Sequence, residues 1–401
     1  MFTLSRRSLL FAASGLAVSA LLPRSAWAGA EAPRRRPILC VIFLRGGVDA
    51  LNVVVPHADA AYRRLRPGIG VPGPGKADGV LDLDGQFGLH PRLAPLRSLF
   101  QAKELAVVHA VGSPHPTRSH FEAQDYAETG SVSSSARDGW LARALGELPK
   151  SESLLRAVAL SSKRPLALRG GSVDVVSAKS LERFRLRSPK PLGPKFAHAF
   201  ADLYGAGDDP VVRAGRNALA VERLLRDLPP TSSHVKYPDG ARPLADIARL
   251  VHADAGLEVA FADVGGWDTH QGQGGRLARL LDGLGKGLAA FRQDLGDRFE
   301  DVLVVVMSEF GRTAAENGTG GTDHGHGGAM LLLGGRVVGG QVHGKWPGLE
   351  REQLHEGRDL AVTTDYRDVI AEVSRLHLGV TALDRVVPGH TVKPLGILRA
   401  S

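Results

Sequence analysis

The chain has 401 residues, with 50 lysine and arginine residues against 42 aspartate and glutamate residues and a formal net charge of +8. This excess is mild, and no stripe of basic and aromatic side chains accompanies it, so the composition argues against nucleic acid as a partner. Cys40 is the only cysteine, which excludes an intrachain disulfide and a thiolate metal cluster, so any bound metal must use histidine, aspartate or glutamate.

The first residues have the features of an export signal. A twin-arginine pair in "SRRSLL" precedes an apolar run at 9–22, and "AWA" supplies the small-x-small pattern of a cleavage site. The apolar run is too short for a helix that spans a bilayer, which needs about 20 residues. We therefore predict that 1–28 is a removable Tat signal and that 29–37 is a basic tail of a periplasmic or otherwise extracytoplasmic protein. The Tat translocase would be a partner during export; an uncleaved amphipathic anchor is the alternative.

Short apolar runs alternate with longer segments of helical periodicity along the rest of the chain. The runs are continuously apolar, which is typical of strands buried on both faces. The predicted strands are 38–44, 105–111, 156–160, 257–264, 301–308 and 330–335. The predicted helices are 92–102, 138–148, 211–228, 243–256, 275–298 and 365–379. This alternation predicts an α/β fold with a large doubly wound, mostly parallel sheet and helices on both faces.

The mature chain is predicted to form a single domain over 38–401. Residues 161–210 are rich in serine, proline, glycine and lysine, and we interpret them as an insertion or cap over the sheet. No G-x-G-x-x-G follows the first strand and no G-x-S-x-G elbow is present, so neither a dinucleotide-binding domain nor an α/β-hydrolase is indicated. His109, inside a predicted strand, and His377 are interpreted as core or loop histidines.

Polar clusters accompany the ends of several predicted strands, where ligands bind in open α/β sheets. They follow the first, fourth and fifth strands and a later glycine-rich loop. Their candidate metal ligands are Asp49, Asp268, His270, Glu309, Asp323, His324 and His326. Mixed carboxylate and imidazole ligands favour Zn²⁺, Mn²⁺ or Fe²⁺, whereas all-oxygen sites suit Ca²⁺ or Mg²⁺. Each residue alone is typical of a turn or a loop, but together they predict a site for one or two divalent ions, with Zn²⁺ or Mn²⁺ favoured over Ca²⁺ or Mg²⁺.

The stretch "PTRSHFEAQDYAETG" at 116–130 follows the second predicted strand and opens a helix. Ser119 and Glu122 match the capping box S-x-x-E, in which both side chains serve backbone amides. The alternative is a nucleophile, because a hydroxyl at a helix start near a metal is easier to deprotonate and faces free amides. Thr117 or His120 could take that role. Arg118 or Arg312 is a candidate clamp for a phosphate or sulfate group, although arginine is more often a surface ion-pair partner.

Several motifs together are similar to one bacterial family. "FLRGGVDALN", "TRSHFEAQDYAETG", "GGWDTH", "MSEFGRT" and "TDHGHGG" resemble, in this order, the Tat-exported proteins of domain-of-unknown-function family 1501. That family resembles the alkaline-phosphatase-like superfamily, which includes sulfatases, phosphatases and metal-dependent phosphomutases. The resemblance implies a large doubly wound α/β sheet of the alkaline-phosphatase-like type, but no substrate.

The resemblance also implies roles for individual residues. Asp49 matches the metal-binding aspartate after the first strand, and Ser119, or less closely Thr117, matches the nucleophile. The other matches are Asp268 and His270 as a ligand pair, Glu309 where an Asp-His pair follows a later strand, and His324 or His326 as the final histidine. Phe310 stands where that later pair has its histidine, and the spacing from Asp268 to His270 is tighter than usual. These departures put the second metal in doubt.

We therefore expect a metal-dependent hydrolase of a phosphate or sulfate ester, with Ser119 as nucleophile and Arg312 binding the anionic group. A second metal or His120 would assist the leaving group. The alternative is a non-catalytic, metal-stabilised binding or assembly protein whose partner is an envelope component. A third possibility is a redox enzyme in which His270, His324 and a carboxylate bind a single iron.

Overall fold

The computed structural model describes residues 35–171, 173–185, 193–205, 207, 209–229 and 234–400. The predicted signal at 1–28 lies outside these residues, as does most of the predicted tail at 29–37. From Pro37 onward the chain clusters by its contacts into one compact unit.

A nine-stranded sheet lies at the centre of this unit. Its strands in chain order are β1 (Ile38–Leu44), β2 (Leu105–Gly112), β3 (Ala157–Leu160), β4 (Val175–Ser177), β5 (Val259–Val264), β6 (Val302–Met307), β7 (Gly328–Gly334), β8 (Val342–His343) and β9 (Thr364–Asp365). Across the sheet they are ordered β8-β2-β7-β6-β1-β5-β3-β4, and β9 also pairs with β2. All six predicted strands are present, because continuous apolar runs of this length need burial on both faces.

The helices of eight or more residues are α1 (Ala94–Gln101), α2 (His120–Thr129), α3 (Trp140–Glu147), α4 (Gly193–Leu203), α5 (Pro210–Asp227), α6 (Arg242–His252), α7 (Gln273–Leu295) and α8 (Tyr366–Leu376). The six predicted helices correspond to six of these. Local signals set some of their starts: Asp209 accepts hydrogen bonds from the amides of Val211 and Val212 at 2.9 and 3.1 Å, and Pro210 occupies the first turn of α5.

The helices cover both faces of the sheet. All seven residues of β1 are buried. Its even-numbered side chains pack in a cluster with residues of α1, α6 and α7, and its odd-numbered side chains pack with residues of α3 and α8. Burying one valine, leucine or isoleucine side chain contributes roughly 1.5–3 kcal/mol, so this double coverage is a main source of stability. The predicted doubly wound α/β fold is confirmed.

One strand runs against the others. β7 pairs antiparallel with both β2 and β6, whereas β1, β5 and β6 are parallel to one another. The start of β7 therefore lies at the same edge as the carboxyl end of β6. The segment that contains His324 and His326 precedes β7, so this reversal brings it to the edge where the other polar loops lie.

Part of the segment 161–210, predicted as an insertion or cap, belongs to the sheet itself. Its described part includes β4, which pairs in parallel with β3 and extends the sheet at its edge. A second, small antiparallel sheet is formed by Val54–Val55, Leu81–Asp82 and Gly88–Leu89. Within the described ranges, no helix has both the length and the apolar composition needed to cross a bilayer.

Candidate metal centre

Loops from five strands meet at one edge of the sheet and approach one another closely. Gly46 has a φ of +123°, and a Cβ at this position would lie 2.4 Å from the backbone nitrogen of Asp268. A Cβ at Gly321 would lie 2.3 Å from the carbonyl oxygen of His270. Glycine is therefore required at both positions, because any side chain would push the loops apart.

His120 is the first residue of α2 and points one ring nitrogen toward this edge. Its Nδ1 lies 2.8 Å from Oε1 of Glu309, which as a carboxylate can only accept, so Nδ1 carries the hydrogen. Its Nε2 is buried, has no hydrogen-bond partner, and lies 3.6 Å from Oδ2 of Asp268. The hydrogen bond to Glu309 raises the pKa of His120 above its ordinary value.

His324 is held in the same manner by a backbone group. Its Nδ1 lies 2.8 Å from the carbonyl oxygen of Arg118, and a carbonyl can only accept. The neutral ring of His324 therefore has its hydrogen on Nδ1 and a bare lone pair on Nε2. Burial lowers the pKa of His324 and so favours this neutral form.

His270 brings a third imidazole to the cluster. Its Nδ1 lies 3.0 Å from Oδ1 of Asp323, and its Nε2 lies 2.9 Å from Nε2 of His324. Because both Nδ1 atoms face acceptors, the two neutral rings would direct lone pairs at each other. Such an approach requires a positive charge between them, either a proton on one ring or a metal ion.

Asp268 completes the cluster with a carboxylate. Its Oδ1 lies 3.0 Å from Nε2 of His270 and 3.5 Å from Nε2 of His324. Partial burial alone would raise the pKa of Asp268, but the hydrogen bond and charge of Arg312 outweigh it, and the pKa lies below its ordinary value. The carboxylate is therefore ionised and available as a ligand.

These four residues have the chemistry of a metal centre. Ligand atoms of His120, Asp268 and His324 lie within 4.8 Å of one another, and His270 joins them through the distances above. Each histidine donates its Nδ1 hydrogen to a carboxylate or a carbonyl and leaves Nε2 free, which is the arrangement found around histidine-bound metals. Three nitrogens and one carboxylate suit Zn²⁺ and also Mn²⁺ or Fe²⁺. The residues fit the predicted ion.

The centre is open to solvent on one side and closed on another. The side chains of Asp268 and His270 are 44% and 39% exposed. On the closed side, the buried ring of Phe310 lies 4.9 Å from the ring of His120 and 5.1 Å from that of His324. An apolar ring thus occupies the position for which the family resemblance implied a further histidine ligand.

The family model described as "Protein of unknown function (DUF1501)" matches residues 37–390. The chain belongs to the DUF1501 family. No curated protein matches the sequence.

Several solved structures are similar to this DUF1501 chain at low identity. Ps i-CgsB, crystallised with k-i-k-neocarrahexaose, is 12% identical, with 88% of this chain and 75% of that chain covered and a TM-score of 0.40. A protein in the alkaline phosphatase superfamily from Vibrio parahaemolyticus is 11% identical, with coverage of 88% and 69% and a TM-score of 0.36. The lipoteichoic acid synthase LtaP from Listeria monocytogenes is 10% identical, with coverage of 86% and 72% and a TM-score of 0.35.

In this DUF1501 protein, Glu309 is buried beneath the centre and contacts it through the hydrogen bond to His120. Its Oε1 accepts hydrogen bonds from the amide of Gly46 at 2.9 Å, from His120 and from Nε2 of Gln124 at 2.9 Å. Burial alone would raise the pKa of Glu309, but hydrogen bonds led by those from His120 and Gln124 outweigh it and hold the pKa at about 2. Gln124 was not predicted, although it follows His120 by one helical turn and therefore shares its face of α2.

Asp49 has different partners from the histidine cluster. It is buried, and its Oδ2 lies 2.7 Å from a guanidinium nitrogen of Arg66 and 2.5 Å from Nε2 of Gln273. Its Oδ1 has no hydrogen-bond partner. Asp49 is the metal ligand predicted after the first strand, but the structure places it in a buried ion pair with Arg66. We therefore leave Asp49 out of the proposed ligand set.

Asp323 and His326 also lie apart from the ligand positions. Asp323 accepts from His270 and, at 3.2 Å, from Asn317; these hydrogen bonds, together with the charge of Arg358, hold its pKa below its ordinary value. The ring of His326 stacks on that of His355 with centroids 4.4 Å apart. Asp323 orients the ring of His270, whereas His326 and His355 line a neighbouring cavity.

Arg312 is structural in this position and cannot clamp a substrate. Its side chain has no exposed surface. It donates to the carbonyl oxygens of Gly46, Gly47 and Thr322 and to Oδ1 of Asp268. These bonds join the loops that carry the centre, so the predicted anion-binding role does not fit its surroundings.

Ser119 precedes α2 without capping it. Its side chain makes no cap hydrogen bond, and the hydroxyl has no partner among the described residues. The predicted capping box is therefore absent, since Glu122 instead accepts from the hydroxyl of Thr117 at 2.6 Å. Thr117 is committed by that bond, whereas the hydroxyl of Ser119 remains available.

Proposed function

We propose that this protein is a metal-dependent hydrolase that acts on a phosphate or sulfate ester. The observation that carries the proposal is the 2.9 Å approach of Nε2 of His270 to Nε2 of His324, with the Nδ1 atoms of both rings turned to acceptors. A bound cation would remove their repulsion, and these two nitrogens, the carboxylate of Asp268 and the free Nε2 of His120 would hold it.

One divalent ion, Zn²⁺ or Mn²⁺ in preference to Ca²⁺ or Mg²⁺, is the proposed cofactor. Such an ion would stabilise negative charge that develops on the transferred phosphoryl or sulfuryl group. Glu309 and Asp323 hold two of the ligand rings in orientation by accepting their Nδ1 hydrogens. We do not propose a second ion, because the apolar ring of Phe310 covers one side of the cluster.

Ser119 is the proposed nucleophile. Its hydroxyl would lose its proton to solvent as the oxygen forms a bond to phosphorus or sulfur and the bond to the ester oxygen breaks, and the departing alkoxide would take a proton from solvent. Water would then cleave the seryl ester and restore the hydroxyl. The free hydroxyl of Ser119, next to His120 at the start of α2, supports this role, and backbone amides at a helix start favour a bound anion.

We also propose that the mature protein works outside the cytoplasm after export by the Tat translocase. The support is the twin-arginine pattern and the cleavage pattern within 1–28.

A second candidate function is a metal-stabilised binding or assembly protein of the cell envelope without catalysis. The observation that favours it is Phe310, which lies against both His120 and His324 and occupies space that a two-ion hydrolase would use.

The test combines metal analysis with turnover. Mature wild-type protein and the Asp268→Ala/His324→Ala double variant are supplied with Zn²⁺, Mn²⁺ or Ca²⁺, and then assayed on aryl phosphates, phosphodiesters and aryl sulfates. We expect about one ion and turnover in the wild type and neither in the variant. Metal without turnover would favour the second candidate; bound iron with redox signals would favour the iron enzyme. Absence of metal from both proteins would overturn the metal centre.

A further inference from the structure

The proposed hydrolase needs a cation that contacts the anionic substrate, and neither arginine predicted for that role is free to do so. Arg312 has no exposed surface and is bonded to loop carbonyls. Arg118 donates to Glu356 at 2.6 Å and to Asp359 at 2.7 Å, so its charge is balanced by two carboxylates.

The guanidinium of Arg358 contacts the backbone of His324, a residue of the proposed metal centre, and keeps donors free. Its NH2 group donates to the carbonyl oxygen of His324 at 3.0 Å, and its NH1 group donates to Oδ2 of Asp359 at 3.5 Å, a carboxylate that Arg358 shares with Arg118. The remaining N–H groups have no acceptor among the described residues, and the side chain is 41% exposed. The guanidinium is thus held by the backbone of a proposed metal ligand, and several of its N–H groups have no acceptor among the described residues.

The turn that carries Arg358 is held in a defined shape. Glu356 and Gly357 both have a left-handed backbone, with φ of +53° and +66°. The amide of His355 donates to the carbonyl of Asp359 at 2.8 Å and closes the turn. Two successive left-handed residues are typical of a tight hairpin turn, and a non-glycine residue adopts this conformation at a cost of about 1–2 kcal/mol. Arg358 is therefore presented by a built turn rather than by a loose loop.

We propose that Arg358 is the residue that binds the tetrahedral oxyanion of the substrate at the metal centre. This inference rests on the proposed function. The planar guanidinium can give two parallel hydrogen bonds to two oxygens of a phosphate or sulfate group, a geometry that lysine cannot reproduce.

The test measures binding of inorganic phosphate and inorganic sulfate by calorimetry to zinc-loaded protein. The variants are Arg358→Gln and Arg358→Lys, and the control is Arg226→Gln, which removes an exposed arginine paired with Glu222 on α5. Zinc content is measured on every sample. We expect Arg358→Gln to weaken anion binding by about 10- to 100-fold, Arg358→Lys to weaken it less, and the control to match the wild type, all with equal zinc.

Each other outcome has a separate meaning. Equal phosphate and sulfate affinity in wild type and Arg358→Gln would overturn the inference and leave the proposed function intact. Loss of zinc in Arg358→Gln would show that the residue acts by holding His324, which also overturns it. If zinc-loaded wild type binds neither anion, both the inference and the proposed function are overturned.

Discussion

Nε2 of His270 and Nε2 of His324 lie 2.9 Å apart, although the other nitrogen of each ring already faces an acceptor. Without a cation, the folded chain would have to protonate one ring or separate the two. The pair thus favours a positive ion at this point of the sheet edge.

We expect His270→Gln or His324→Gln to weaken zinc binding by more than about 100-fold. Each change removes a proposed ligand, and loss of a residue that only hydrogen-bonds to a ligand already weakens metal binding by about 10- to 100-fold. Competition with a chromogenic chelator measures the affinity. The matched control is His252→Gln, a histidine of similar exposure that lies near a carboxylate of Asp294. If His252→Gln lowered zinc affinity as much, the effect would be unspecific.

Glu309→Gln should weaken zinc binding by about 10- to 100-fold while leaving stoichiometric binding at high zinc. The change removes the charged acceptor that fixes the hydrogen of His120 on Nδ1. Glu258→Gln is the control, because Glu258 is a buried carboxylate in an ion pair with Arg156 at 2.8 Å. A complete loss of zinc in Glu309→Gln at any zinc concentration would instead identify Glu309 as a ligand.

Ser119→Ala should lower turnover of any ester substrate by at least about 100-fold and leave zinc content unchanged, because the nucleophile is lost but no ligand is. Steady-state kinetics and metal analysis on the same preparation measure both quantities. Thr117→Val is the control, since the hydroxyl of Thr117 is bonded to Glu122. Wild-type turnover in Ser119→Ala would remove Ser119 from the reaction and point to a water nucleophile.

The buried His377 makes the stability of the metal-free protein dependent on pH. Burial lowers the pKa of His377 from 6.5 to about 4. The unfolded chain therefore binds a proton before the folded chain does, so stability is complete above pH 6.5 and falls as pH drops toward 4, by about 3 kcal/mol at pH 4. Urea unfolding of chelator-treated wild type and His377→Gln between pH 7 and 4 measures the difference. Parallel stability curves for the two proteins would contradict this expectation.

The sequence was sufficient to predict the strands, and it also singled out several polar residues that the fold brings together. Continuous apolar runs predicted β1, β5 and β6, and the polar residues after β5 do converge on one point. His270 and His324 were predicted as ligands on residue type and position alone. The family prediction is also confirmed by the match over 37–390.

The remainder depends on contacts between distant parts of the chain. Asp49 pairs with Arg66, and Arg312 is surrounded by carbonyl groups of other loops, which no local pattern indicates. His120 was predicted to aid the leaving group and not to bind a metal. Only the folded chain shows that Nε2 of His120 is turned toward Asp268. Arg358 was not singled out, since the spare donors of a guanidinium become visible only when the acceptors around it are known.

The reversed direction of β7 would tie retention of the proposed ion to the completion of the fold. His120, Asp268 and His324 come from three distant stretches of chain, and the segment with His324 leads into β7, which pairs between β2 and β6. An intermediate that lacks this strand would present an incomplete set of ligands and release the ion. A bound ion present at about 1,000 times its dissociation constant would therefore add about 4 kcal/mol to the finished sheet alone. The fraction of molecules with bound metal would then indicate the fraction that has completed folding.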